Sequence, residues 1–128
     1  VRPLGVGIDL VELRRVERML ERYGDRALCR LLTVDERGYC QDKAYPARHI
    51  AARLAAKEAA YKALAQSDDP GLIGWTDVEV AREIAGGPTL RFHGRAAVRA
   101  RHLGVGLSLV SLTHTSEHAA AVVVLYQP

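Results

Sequence analysis

The segment from Pro46 to about Leu64 or Ala65 constrains the fold more than any other, because it reads as a helix with no continuous polar face. At about 100° per residue, Ile50, Leu54, Tyr61 and Leu64 fall on one side, while Ala52, Ala56, Ala59, Ala60 and Ala63 fill the opposite side. Such a helix has to be enclosed nearly all round. Within it, "ARLAAKEAAYKAL" carries Arg53, Lys57, Glu58 and Lys62. Lys57 projects within the arc of large apolar residues, and Glu58 and Lys62 lie at one edge of it. One reading has Lys57 extending its ammonium to water and Glu58 paired with Lys62 at i,i+4. The other has the charges facing an anionic ligand, since buried charges are costly unless paired or engaged. Cations beside a carboxylate suit a metal-bound polyphosphate, and magnesium often takes only one or two protein carboxylates, of which Glu58 can be one.

The 128 residues suit one domain, 1–128, large enough for a real core. "GVGIDLVEL" alternates Val6, Ile8 and Leu10 with Gly7 and Asp9, as a strand burying its apolar side would. A helix follows from Val11 to about Tyr23 and stops at Gly24. Thr33 and Glu36 have capping-box spacing and begin a second, short helix before the long one. "SDDPG" reads as a turn, "TDVEV" and "TLRFHG" as paired strands joined at "GGP", and Arg95 to Leu103 as a helix ending at Gly104. "GLSLVSLTHT" and "AAAVVVLY" should pair as the last strands across "SEH". The expected class is α+β, with the long central helix packed on a mainly antiparallel sheet.

Cys29 and Cys40 form neither a CxxC pair nor a disulfide framework, so both read as free thiols in a reducing compartment, the cytoplasm. The longest apolar run, Ala119 to Tyr126, is too short to span a membrane, and no segment reads as a signal peptide. A net charge of +3 favours an anionic partner without naming it.

Asp9 ends a strand on the face opposite Val6 and Ile8, and with Glu12 it also has the spacing of a capping box. His114 and His118 have H-x3-H spacing without a helix or further zinc ligands, which argues against zinc. His114 alone can donate to a phosphate or complete a turn. Arg14, Arg18 and Arg22 recur at i,i+4 on the first helix, where Glu17 and Glu21 relieve part of their repulsion. The row is either a solvated face or a site for an acidic partner.

"GVGIDLVEL", "ARLAAKEAAYKAL" and "SLTHT", with "LLTVDERGYC" and "GWTDVEV" in order between them, resemble the small holo-acyl-carrier-protein synthases, the short class of 4'-phosphopantetheinyl transferases. The resemblance covers essentially the whole chain. It implies that Asp9 and Glu58 bind Mg2+ together with the pyrophosphate of coenzyme A. It also implies that Lys62 and His114 stand at the phosphate end and that Arg53 helps bind coenzyme A. The implied reaction moves the 4'-phosphopantetheine arm to a serine of apo-acyl carrier protein, in fatty-acid synthesis, with a polyketide acceptor as the open alternative. Glu58, acting directly or through a water, is the first candidate for the serine's base, and Glu36 is a weaker one. Arg14, Arg18, Met19 and Arg22 become the contacts for the carrier protein's acidic helix. Relatives of this kind are homotrimers with sites between subunits.

Two positions depart from the family pattern. Gly87 stands where a basic residue is common, and Leu54 where an aromatic one is. A nucleic-acid-binding module is the main rival, but the chain offers neither stacking aromatics nor a groove-reading motif, so no nucleic acid and no membrane are expected as partners. A catalytically silent scaffold is the other rival, against which Asp9, Glu58 and Lys62 speak.

Overall fold

The computed structural model describes residues 1–65, 73–83 and 86–128; the turn expected at "SDDPG" lies outside them. In chain order the elements are β1 (Arg2–Glu12), α1 (Leu13–Tyr23), α2 (Asp25–Leu31), α3 (Val34–Gln41), α4 (Pro46–Ala65), a 3-10 turn (Trp75–Asp77), β2 (Val78–Arg82), β3 (Pro88–Phe92), α5 (Gly94–Leu103), β4 (Leu107–His114) and β5 (His118–Gln127). β1, β5 and β4 form an antiparallel sheet in that order, and β2 with β3 makes a separate antiparallel hairpin. The expected α+β class, with a long helix on antiparallel strands, is what the chain adopts. No helix among the described residues is long and apolar enough to cross a membrane.

α4 is the axis of the structure. Its alanines 55, 56, 59, 60 and 63 are fully buried against the sheet side, while Ile50, Ala51 and Leu54 pack into a second cluster with Leu13, Val16, Leu28 and Leu31. Leu13, Ile50, Leu64 and Leu125 are at most 2 % exposed, and each contributes on the order of 1.5–3 kcal/mol. Tyr61, expected among the apolar contacts, is instead exposed: with Glu58 and Lys62 it forms a narrow open strip on the C-terminal half of the helix.

The alternation in β1 is present but its face is reversed. Val6, Ile8 and Leu10 are 66 %, 67 % and 62 % exposed, whereas Gly7 is buried under α4. A Cβ on Gly7 would lie 1.8 Å from the Ala59 carbonyl oxygen, so strand and helix backbones meet there without a side chain between them. That close approach turns Asp9, on the same side of the pleat as Gly7, toward α4.

Local signals set the remaining ends. Gly24 stops α1 with φ 54° and donates its N–H to Leu20 O. The helix starts at Leu13 rather than Val11, because β1 continues through Glu12. Thr33 and Glu36 form the expected capping box of α3. Gly104 closes α5 in the left-handed region, φ 81°. Arg99 donates to Leu64 O at 2.9 Å and Ala65 O at 3.3 Å, placing a cation on the last carbonyls of α4.

Candidate active site

Asp9 and Glu58 line one cleft, together with Val11, Arg15, Met19 and Trp75. The strand supplies Asp9 and the helix supplies Glu58. At the rim, the Lys62 ammonium donates to Asp9 Oδ1 at 3.1 Å and to Ile8 O at 3.0 Å. The Glu58–Lys62 pair of one of the two readings is not among the ion pairs of the described residues. Nor does Asp9 cap a helix: the N-cap position of α1 is Glu12, which makes no side-chain cap bond. Glu58 is partly buried and belongs to none of the ion pairs found among the described residues. Two carboxylates with hard oxygen donors, one of them uncommitted, suit magnesium, which leaves most of its shell to phosphate and water. Among the described residues no three His, Cys, Asp or Glu side chains converge on one point.

Behind the cleft lies a buried polar network. Lys57, 2 % exposed, does not reach water as one reading of the sequence expected. Its ammonium donates to Glu36 Oε1 at 2.8 Å, to Trp75 O at 2.8 Å and to Val78 O. Burial pushes that ammonium below its ordinary pKa, and the Glu36 charge and hydrogen bond oppose the shift. Glu36 also accepts from the Thr33 and Val80 N–H groups, each at 2.9 Å. At 1 % exposure and with its oxygens committed, Glu36 is excluded as the serine's base. Glu79 extends the network through Thr33 Oγ1 at 2.8 Å and His93 Nε2 at 2.9 Å. Burial pushes the Glu79 carboxyl up, but the hydrogen bonds from His93 and Thr33 and the charges of His93 and Arg91 together outweigh it and hold the group below the usual carboxylate range.

The other anticipated residues stand apart from this cleft within one chain. Arg53 is 2 % exposed and lies 4.2 Å over the Tyr39 ring, with Lys43 at 4.2 Å and Arg82 at 5.7 Å from the same centroid. Tyr39, Arg53 and Arg82 also line a cleft with Arg91, where the carboxylates of Asp35 and Glu79 offset part of the positive charge. His114 ends β4, the edge strand opposite β1. His49 sits between the two: burial lowers its imidazole pKa, and the charges of Arg53, Lys43, Arg48 and His114 lower it further.

On α1, Arg14 and Arg18 border a shallow surface with Glu12 and Glu17, and Arg18 pairs with Glu12 at 3.6 Å. Glu17 is engaged by the Tyr45 hydroxyl. Arg22 lies 5.5 Å over Tyr23. Met19 lines the Asp9–Glu58 cleft and also a groove with Tyr23, Arg26 and Arg30. Arg15 lines the first of these clefts and Arg26 and Arg30 the second, and the sequence does not single them out. Arg15 lies outside the i,i+4 row, and the other two come from α2, whose existence was not anticipated.

Residues 5–123 match the family model of the 4'-phosphopantetheinyl transferase superfamily. A holo-[acyl-carrier-protein] synthase of Koribacter versatilis is 47 % identical over 95 % of this chain and 97 % of its own length. The corresponding protein of Moorella thermoacetica is 44 % identical over 93 % of this chain and 91 % of its own. The Mycobacterium tuberculosis acyl carrier protein synthase structure superimposes with a TM-score of 0.74 at 35 % identity, covering 98 % of this chain and 99 % of that one. The Helicobacter pylori holo-[acyl-carrier-protein] synthase, solved in complex with coenzyme A, gives 0.80 at 27 % identity, covering 94 % and 99 %. A strand carboxylate facing a helix carboxylate across one cleft thus occurs in a chain whose fold and sequence are shared over nearly full length, and the chain belongs to the holo-[acyl-carrier-protein] synthases of the 4'-phosphopantetheinyl transferase superfamily.

Proposed function

We propose that this chain, residues 1–128 acting as one domain, transfers the 4'-phosphopantetheine arm of coenzyme A to a serine of apo-acyl carrier protein. The serine oxygen forms a bond to the phosphorus carrying the arm, the bond to the bridging oxygen breaks, and adenosine 3',5'-bisphosphate leaves with the electron pair. The observation that carries this reading is the Asp9–Glu58 cleft, with Lys62 at its rim and Glu58 uncommitted among the described residues. Asp9 and Glu58 are the residues that would hold Mg2+, which when bound supplies charge stabilisation to the pyrophosphate. Lys62 turns its ammonium toward the same charge. Glu58 takes the serine proton. Arg53 and the cations around Tyr39 hold the phosphate of the adenosine end, and His114 donates to a donor phosphate.

Within one chain Arg53 and His114 stand away from the Asp9–Glu58 cleft, and a homotrimer would bring them to it. The outer sheet face supports that assembly: Val6, Ile8, Leu10, Leu107 and Leu109 are all about half exposed or more, on strands flanking β5. A contiguous apolar face of this kind is suited to covering by a second copy. Sedimentation equilibrium at micromolar concentration is expected to report three chains of 14.0 kDa. A one-chain mass would remove the intersubunit site.

Arg14, Arg18, Met19 and Arg22 receive the carrier protein's acidic helix, in the cytoplasm and in the service of fatty-acid synthesis. Both side chains of the Arg18–Glu12 pair are at least half exposed and the pair is worth little, so the arginines are free to re-pair with a partner. Reversing Arg14 and Arg18 to Glu is expected to raise KM for the carrier protein by about tenfold, leave kcat nearly unchanged and flatten the salt dependence. Unaltered kinetics at low salt would return this face to plain solvation.

The transfer itself is tested by intact mass of apo-acyl carrier protein after incubation with the protein and coenzyme A, with magnesium present or chelated. A magnesium-dependent gain of one phosphopantetheine arm is expected. No gain across several competent carrier proteins would favour a silent scaffold.

A further inference from the structure

Lys57 is the one deeply buried charge on α4 that the proposed reaction leaves unused. Its neighbour in sequence, Glu58, lines two clefts. One holds Asp9 and Met19; the other is bordered by Tyr61, Ile73, Gly74 and Val78. Trp75 also lines both, so the space on either side of Glu58 is divided at Trp75. Trp75 opens a 3-10 turn of only three residues, an element with little stability of its own. The Lys57 ammonium bonds the carbonyl of the turn's first residue, Trp75 O, and that of the strand residue that follows the turn, Val78 O, and Glu36 fixes the ammonium from behind.

We infer that Lys57 is a positioning residue: by holding the Trp75 and Val78 carbonyls it sets the Trp75 partition at the point where the two clefts meet beside Glu58. The inference rests on the transferase reading for its kinetic consequence only. Two bonds from one ammonium tie the turn to the helix position next to the proposed base and metal ligand, and a third anchors the ammonium to Glu36. A wall placed in this way fixes where a substrate lies relative to Glu58, and misplacement of about 1 Å can cost about a hundredfold in rate. A purely structural role makes a different forecast, namely loss of stability with unchanged kinetics in the molecules that remain folded.

The test is the double variant E36Q/K57M, which removes both buried charges at nearly constant volume, an exchange buried pairs often tolerate. It leaves the two carbonyls without their donor. Per folded enzyme, kcat/KM is expected to fall by about tenfold or more, and acrylamide quenching of Trp75 to rise about twofold. Trp75 is the chain's one tryptophan, so the emission reports this turn alone. Wild-type kinetics and quenching in the folded variant would overturn the inference, whatever the melting temperature. Should E36Q/K57M not fold, W75A decides the matter: a comparable fall in kcat/KM supports the partition, and wild-type kinetics overturns it. Absence of transfer by the wild-type protein would instead overturn the transferase reading, and the quenching comparison would still decide the position of Trp75.

Discussion

Replacing Glu58 by Gln is expected to lower transfer on the order of a thousandfold, because one hard anionic oxygen is exchanged for a neutral amide at the centre of the site. The melting temperature should stay within about 2 °C of wild type, since Glu58 holds no ion pair among the described residues and the volume barely changes. Both parts follow from one observation: Glu58 is partly buried, faces a cleft and is held by no partner among the described residues. Asp9 provides the contrast. Its carboxylate is tied to Lys62, and Asp9→Asn would alter that pair as well as the cleft. Steady-state transfer with a calorimetric melt checks the Glu58 variant. Near-normal turnover would sink Glu58 both as metal ligand and as base, whereas a collapsed melt would show that it supports the structure.

What the sequence disclosed about this site divides along the reach of its signals. Helix ends were readable where one residue decides them: Pro46 opens α4, Gly24 and Gly104 close α1 and α5, and the Thr33–Glu36 box starts α3. α2 was not readable, because in seven residues its buried Leu28 and Leu31 give a single helical spacing and Gly24 serves two helices at once. The alternation in β1 was plain, yet alternation names two faces without saying which is covered. An apolar side reads as buried by default, and here Gly7 marks the covered side because only a bare backbone fits against Ala59. Lys57 was misread for a related reason. Its acceptors come from Glu36, Trp75 and Val78, far along the chain, and no local spacing brings them together. Asp9 and Glu58 were paired through the family resemblance; periodicity alone does not place a strand residue against a helix residue. Lys62 lies beside Asp9, and its partner is that strand carboxylate rather than the neighbour one turn away.

The β1–α4 contact also yields the largest stability change expected of any single methyl group in this chain. Gly7→Ala is expected to cost more than about 4 kcal/mol and lower the melting temperature by more than about 10 °C, or to prevent folding. The added Cβ would stand 1.8 Å from Ala59 O, 2.7 Å from Ala59 C and 3.1 Å from Ala63 N. These are helix backbone atoms, so no rotamer change relieves the clash; α4 must lift from the strand. Ala59 and Ala63 are fully buried, and lifting the helix opens space along the contact on which the alanine packing depends. The same substitution at Gly38, in α3 with nothing within 4 Å of its would-be Cβ, should instead stabilise by about 0.5–1 kcal/mol. Opposite signs for one chemical change would locate the effect in the helix–strand contact rather than in glycine's flexibility. Paired urea melts decide it, and a Gly7→Ala protein melting near wild type would mean that α4 does not lie on β1 as described. Because that contact also brings Asp9 to Glu58 and Lys62, any folded Gly7→Ala should lose transfer together with stability, whereas Glu58→Gln loses transfer alone.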